Sequence, residues 1–304
     1  MKIVYMGTPE FAVEPLKRLI GDGFEIVGVF TQPDRPRSRG MKISTCPVKD
    51  AALEAGITVY QPETLRDGQA AEILNEISPD LLAVVAYGNF LPTSILKIPC
   101  FGAINIHASL LPKYRGASPI QQAILSGDEV TGVTSMYLSK GMDEGDIIYS
   151  EQTEIREDET SGELSERLSV LGAELLVKTV ADIANGTAPR VAQENDKATY
   201  APPLTKDLSP IDWGESAKTV MRKIYGLQPW PTATMEFKSE TLKVFGARLG
   251  IGRASGKPGE IIDNKAGLEV VCGGGETIII TEVQAAGKRR MHAADFLRGK
   301  RSNG

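Results

Sequence analysis

Residues 2–32, KIVYMGTPEFAVEPLKRLIGDGFEIVGVFTQ, read as strand, turn, helix and strand in succession. The apolar run KIVYM (2–6) is broken by Gly7-Thr8-Pro9. Phe11, Leu16 and Ile20 then recur at helical spacing before FEIVGVFTQ (24–32) returns to a strand pattern. Working outward, DLLAVVAYG (80–88) and GAINIHASLLP (102–112) repeat the strand signature after helical stretches. Such alternation predicts an α/β fold, a Rossmann-like, doubly wound and mostly parallel sheet whose ligand crevice lies beyond the carboxyl ends of the strands. Gly7 lacks the two further glycines of a dinucleotide fingerprint, and no GxxxxGK[ST] occurs, so neither a nicotinamide site nor a P-loop is expected.

A long helical stretch over 160–186, with Thr160-Ser161 and Asn185-Gly186 as caps, closes this region. The segment 187–210 is polar and proline-punctuated, as a linker is. Beyond it lie a short helical pattern with Val220, Ile224 and Leu227 and five short strands, TATMEFKSE, TLKVFGARLG, GEIIDNK, GLEVVCGGG and ETIIITEVQ, with Gly273-Gly274-Gly275 as a hairpin turn. These predict a small OB-like β-barrel. The expected divisions are 1–187, a linker over 188–207, and 208–304.

The 304 residues are 41% hydrophobic and 24% charged, which excludes disordered and fibrous classes. No run approaches the length of a membrane span, and the first strand begins after one lysine without a signal-peptide core, so a soluble cytoplasmic protein is expected. Cys46, Cys100 and Cys272 are too scattered for a disulfide framework or a zinc site and read as reduced thiols; no metal is expected. The net charge of −5 divides unevenly. Residues 1–207 hold 19 Lys+Arg against 29 Asp+Glu, and 208–304 hold 15 against 10, so the C-terminal third is basic enough to meet a polyanion.

Two histidines occur, and His107 has the better address, ending the strand GAINIH with Asn105 two positions earlier. Residues i and i+2 of a strand share a face, so amide and imidazole point together into the expected crevice. An amide donor beside an imidazole is suited to holding an oxyanion and managing a proton. A lone histidine at a strand end is nevertheless more often structural, and the residues that follow decide the matter. They are Ser109-Leu110-Leu111-Pro112 with Arg115-Gly116, then Met142-Asp143-x-Gly145-Asp146-Ile147 in a loop between strands.

Together these motifs resemble the formyltransferase family that uses 10-formyltetrahydrofolate. The resemblance implies that Asn105, His107 and Asp143 are catalytic and that Ser109, Leu110, Leu111 and Pro112 line the folate site. Phe90 and Leu91, at the end of DLLAVVAYGNFLP, are candidate pterin walls. GTPEFA (7–12), VFTQPDRPRSRG (29–40), IDW (211–213), QPWP (228–231) and QAAGKRRMHAADFLRG (284–299) are similar to the members of that family that act on methionyl-tRNA. Gln228 stands where asparagine is the commoner residue.

The implied reaction is attack of the methionyl α-amine on the formyl carbon. Asn105 and His107 would steady the oxyanion, and Asp143 would orient His107 and relay protons. The implied partners are methionyl initiator tRNA and the folate co-substrate, with a monomeric chain and no membrane. Arg35, Arg37, Arg39 and Lys42 form a basic loop suited to an acceptor stem, with Arg39 foremost, and Lys288, Arg289 and Arg290 lead a C-terminal basic cluster that includes Arg298, Lys300 and Arg301. Trp213 and Trp230 read as packing anchors. Two alternatives stay open: a formyltransferase for a small amine, such as glycinamide ribonucleotide or an amino-sugar nucleotide, and a catalytically inert RNA-binding protein.

Overall fold

The computed structural model describes residues 1–37, 42–264 and 267–301. They form two compact units. One comprises residues 1–119, 130–153 and 165–201, and the other 120–129, 154–164 and 202–304.

The first unit contains β1 (Lys2–Gly7), β2 (Glu25–Phe30), β3 (Arg35–Arg37), β4 (Lys42–Ser44), β5 (Val59–Tyr60), β6 (Leu81–Val85), β7 (Ala103–His107), β8 (Arg115–Gly116), β9 (Val130–Tyr137), β10 (Ile147–Glu154) and β11 (Tyr200–Ala201). Seven build one sheet in the order β10-β9-β7-β6-β1-β2-β5. β1 runs parallel to β2 and β6, and β6 parallel to β7, while β9 is antiparallel to β7. The central strands are buried on both faces, which is why 3–6 and 81–85 are nearly continuous apolar runs. Register Gly7↔Val85 and Val84↔Asn105 brings the carboxyl ends of β1, β6 and β7 level, on the side where the strand pattern placed the site.

One detail differs from the helical reading. The helix Val13–Gly21 buries Pro15, Leu16 and Leu19, with Ala12 just before it, whereas Phe11 and Ile20 are only partly covered. The buried stripe is i, i+3, i+4, i+7, and Pro15 is tolerated because it lies in the first turn. The expected caps frame the helix Ser161–Ala184. Thr160 is the N-cap, its Oγ1 accepting from Glu163 N at 3.2 Å while the Glu163 carboxylate accepts from Thr160 N at 2.9 Å. Those bonds from Thr160 hold the Glu163 carboxyl below its ordinary value. At the other end Gly186 takes φ +71° and Thr187 N bonds Asp182 O.

The second unit holds β12 (Ala233–Phe237), β13 (Glu240–Arg253), β14 (Ile261–Asn264), β15 (Gly267–Val271), β16 (Glu276–Ala285) and β17 (Met291–His292), antiparallel in the order β12-β13-β16-β15-β14 with β17 beside β16. Register shifts after Val244, Gly246 and Leu249 bend β13 and curl the sheet into a small barrel-like domain, matching the expected strand count apart from the short β17. Its core packs Leu242, Val244, Val270, Ile278 and Ile280 with Val220 and Ile224 of the helix Ala217–Gly226. Phe296 joins from the helix Ala293–Arg301, which the sequence pattern did not announce. Trp213 packs on this core as expected, whereas Trp230 is 50% exposed.

Candidate active site

Strand β7 sorts its side chains by alternation. Ile106 faces the helix Ser161–Ala184, where Gly172 leaves so little room that a β-carbon would lie 3.0 Å from Ile106 Cγ2. Asn105 and His107 take the opposite face. His107 is buried, and its Nε2 lies 2.9 Å from the carbonyl oxygen of Tyr114. A carbonyl only accepts, so Nε2 carries the hydrogen. Nδ1 faces Asp143 Oδ2 at 3.6 Å, an ion-pair separation rather than a hydrogen bond.

Asp143 occupies a left-handed conformation, φ +54°, in the loop between β9 and β10. Its Oδ2 accepts from Gly116 N at 2.8 Å. Neither Asp143 Oδ1 nor the half-buried Asn105 amide has a hydrogen bond among the described residues, so a donor and an acceptor remain for substrate beside a fixed imidazole. That set can stabilise a tetrahedral oxyanion and take a proton from an attacking amine.

The segment after His107 is stapled to β9. Thr134, opposite His107 in the register, donates from Oγ1 to Ser109 O at 2.7 Å and accepts from Leu111 N at 3.2 Å. Ser109 is fully buried and spends its hydroxyl on Lys113 O. Leu110 and Pro112 are partly accessible, and Leu111 is buried. Of the other two candidate walls, Phe90 is 55% exposed, whereas Leu91 belongs to the apolar core with Met6, Leu74 and Tyr87.

The basic loop is brought only partly into view. Arg35, Arg37 and Lys42 lie on β3 and β4, which pair antiparallel, and Arg39 lies outside the described residues. At its root, Lys49 Nζ meets Asp34 Oδ2 at 2.5 Å and Gln61 Oε1 at 2.6 Å, and Gln61 Nε2 bonds Asp34 Oδ1 at 3.0 Å. In the second unit Lys288 and Arg289 are exposed, without an ion pair among the described residues. Arg290 is committed elsewhere, paired with Glu282 and stacked 4.7 Å over Phe245. Arg298 pairs with Asp295.

Residues 188–207, expected as a linker, divide: 188–201 fold into the first unit and 202–207 into the second. β11 runs parallel to β8, and Thr199 takes up both Tyr114 N (at Oγ1, 2.9 Å) and Arg115 N (at O, 2.9 Å). Gln193 Nε2 donates to the carbonyls of Asp143 at 2.8 Å and Gly145 at 2.7 Å. Its Oε1 accepts from Arg115 Nε and Nη2, and Asn195 Oδ1 accepts from Arg115 Nη2 at 2.7 Å. Gln193, Asn195 and Thr199 carried no motif in the sequence.

A separate open pocket of about 360 Å³ lies where the chain enters β7, away from His107, lined by Cys100, Phe101, Tyr137, Ile183 and Arg190. No group of His, Cys, Asp and Glu suited to a metal occurs among the described residues, and no helix among them is long and apolar enough to cross a membrane.

A family model described as formyl transferase matches residues 1–180, and one described as formyl transferase, C-terminal domain, matches 203–301. The chain belongs to the formyl transferase family. Its similarity runs to particular members: the methionyl-tRNA formyltransferase of Alkaliphilus oremlandii is 48% identical over 299 residues, 98% of this chain and 96% of that protein. That of Bacillus licheniformis is 43% identical over 98% and 95%. The solved N-formyltransferase from Helicobacter canadensis, in complex with folinic acid and dTDP-3-aminofucose, shares the fold with a TM-score of 0.71 at 20% identity, over 94% of this chain and 99% of that one.

Proposed function

We propose that the protein transfers the formyl group of 10-formyltetrahydrofolate to the α-amine of methionyl initiator tRNA, as a monomer in the cytoplasm. The observation that carries the chemistry is the grouping of Asn105, His107 and Asp143 at the carboxyl end of β7. Residues 1–187 hold the catalytic and folate sites, with Ser109 to Pro112 and Phe90 beside the folate and Leu91 behind them, and 208–304 bind tRNA. The fit to a folate rests on the unsatisfied Asn105 amide and the partly apolar Leu110-Leu111-Pro112 turn beside it.

Asn105 donates to the formyl oxygen as the amine nitrogen bonds to the formyl carbon, and His107 steadies the same developing charge. Asp143 keeps His107 in place through Oδ2 and takes the ammonium proton at Oδ1. The carbon–N10 bond then breaks, and the proton passes to N10 of the leaving tetrahydrofolate. The basic residues Arg35, Arg37, Arg39 and Lys42 and the exposed Lys288 and Arg289 supply the phosphate contacts.

The test is formyl transfer to methionyl initiator tRNA beside deacylated tRNA, free methionine, glycinamide ribonucleotide and an amino-sugar nucleotide. Transfer to the charged tRNA alone is expected, and transfer to a small amine instead would overturn the substrate. Asn105→Ala and Asp143→Ala should each lose roughly 10²–10³ in kcat, the usual cost of one oxyanion donor or proton relay, while folate binding by fluorescence persists. Near-normal turnover would remove that residue from the mechanism.

A further inference from the structure

We propose that Gln193 and Arg115 are positioning residues that set where the Asp143 carboxylate stands, an inference that rests on the proposed role of Asp143. Arg115 is among the largest fully buried side chains, 2% exposed, yet no described carboxylate comes closer than Glu144 Oε1 at 4.0 Å, itself nearly half exposed. A guanidinium withdrawn from water and paired mainly with neutral amides is costly, so its surroundings must hold it in one geometry. Gln193 Oε1 takes two of its N–H groups and Asn195 Oδ1 a third bond.

The same Gln193 amide turns its other end on the catalytic loop. Nε2 bridges the carbonyls of Asp143 and Gly145, on either side of Glu144, while Asp143 itself holds a left-handed conformation sparsely populated by non-glycine residues. Gly145 also lies close against β9, since a β-carbon on it would fall 1.7 Å from Tyr137 O. From the other side, Gly116 N, the residue after Arg115, grips Asp143 Oδ2. One fork therefore fixes both sides of the carboxylate: Arg115 anchors the strand that donates to Asp143, and Gln193 ties that guanidinium to the backbone that carries Asp143. Among the described residues neither has a hydrogen bond or ion pair to His107.

The test compares Asp143→Asn, Gln193→Glu and the double variant in the full-length protein. Gln193→Glu keeps the size and the acceptor for Arg115 but cannot donate to the two carbonyls. If Gln193 acts through Asp143, kcat falls at least about tenfold with both KM values within about threefold, as displacement of a catalytic group does. The pH profile of kcat should change shape as well. In the Asp143→Asn background the same substitution should cost less than about twofold more, since residues acting as one unit are not additive. Arg115→Lys, which keeps charge but loses the planar fork, is the second variant and should show the same loss confined to kcat. Unchanged kcat in Gln193→Glu and Arg115→Lys, or a full multiplicative loss in the double variant, overturns the positioning role. Wild-type turnover in Asp143→Asn overturns the role of Asp143 itself, a result read without any Gln193 variant.

Discussion

Gly116 concentrates the demands of the site in one residue. Its φ of +117° suits no side chain, a β-carbon there would lie 2.7 Å from Ala201 O, and its N–H holds Asp143. Gly116→Ala should therefore destabilise by about 1–3 kcal/mol, the usual cost of such backbone strain, and reduce kcat by more than its fall in melting temperature would imply. Denaturant unfolding alongside steady-state kinetics checks this, and a wild-type kcat would show that the β8–β11 pairing does not govern Asp143. Asn105 and His107 were legible because strand period places them on one face, and Asp143 because its loop joins two strand patterns and matches the family motif. Gln193 was not. It acts across 50 residues of sequence, from a polar stretch without periodicity, where nothing separates it from a solvated glutamine.

At the scale of elements, the short β3–β4 hairpin is rooted by the Asp34, Lys49 and Gln61 network. The hydrogen bond from Lys49, and then that from Gln61, hold the Asp34 carboxyl below its ordinary value. A depressed carboxyl stabilises the fold above its unfolded value and loses that contribution as pH falls through the folded one. Asp34→Asn should accordingly lower the melting temperature at pH 7, with the gap to wild type closing as the pH is taken below about 4, the ordinary range for aspartate. A gap that persists at acid pH would show that the ion pair is not its source. Alternation of apolar runs announced the sheet, and Thr160 its long helix. The pairing of β11 with β8 was hidden, because strands of two residues carry no pattern and their partners are distant in sequence.

At the scale of the molecule, the basic C-terminal third marks the unit proposed to bind tRNA, but charge alone does not say which cations are at liberty. Arg290 is tied to Glu282 and Phe245, whereas Lys288 and Arg289 are not so held. Replacing Lys288 and Arg289 with Gln should flatten the fall of log affinity for tRNA against log salt by about 0.7–0.9 for each phosphate that is no longer neutralised, whereas Arg298→Gln should change the slope little. Filter binding across a salt series checks both, and an unchanged slope in the Lys288 and Arg289 variant would leave that turn as ordinary surface.

The chain passes between its two units after Pro119, Glu129, Thr153, Leu164 and Ala201. No single scissile point therefore yields two autonomous halves. A fragment ending at 187 would strip Arg115 of its amide partners, and one ending at 201 would strand Ile124 and Leu125, which lie against Gly226, and Ser161, which bonds Gln228 O. Either fragment should be sticky and poorly soluble, and catalysis and tRNA binding are expected to be inherited, recombined and lost as one piece.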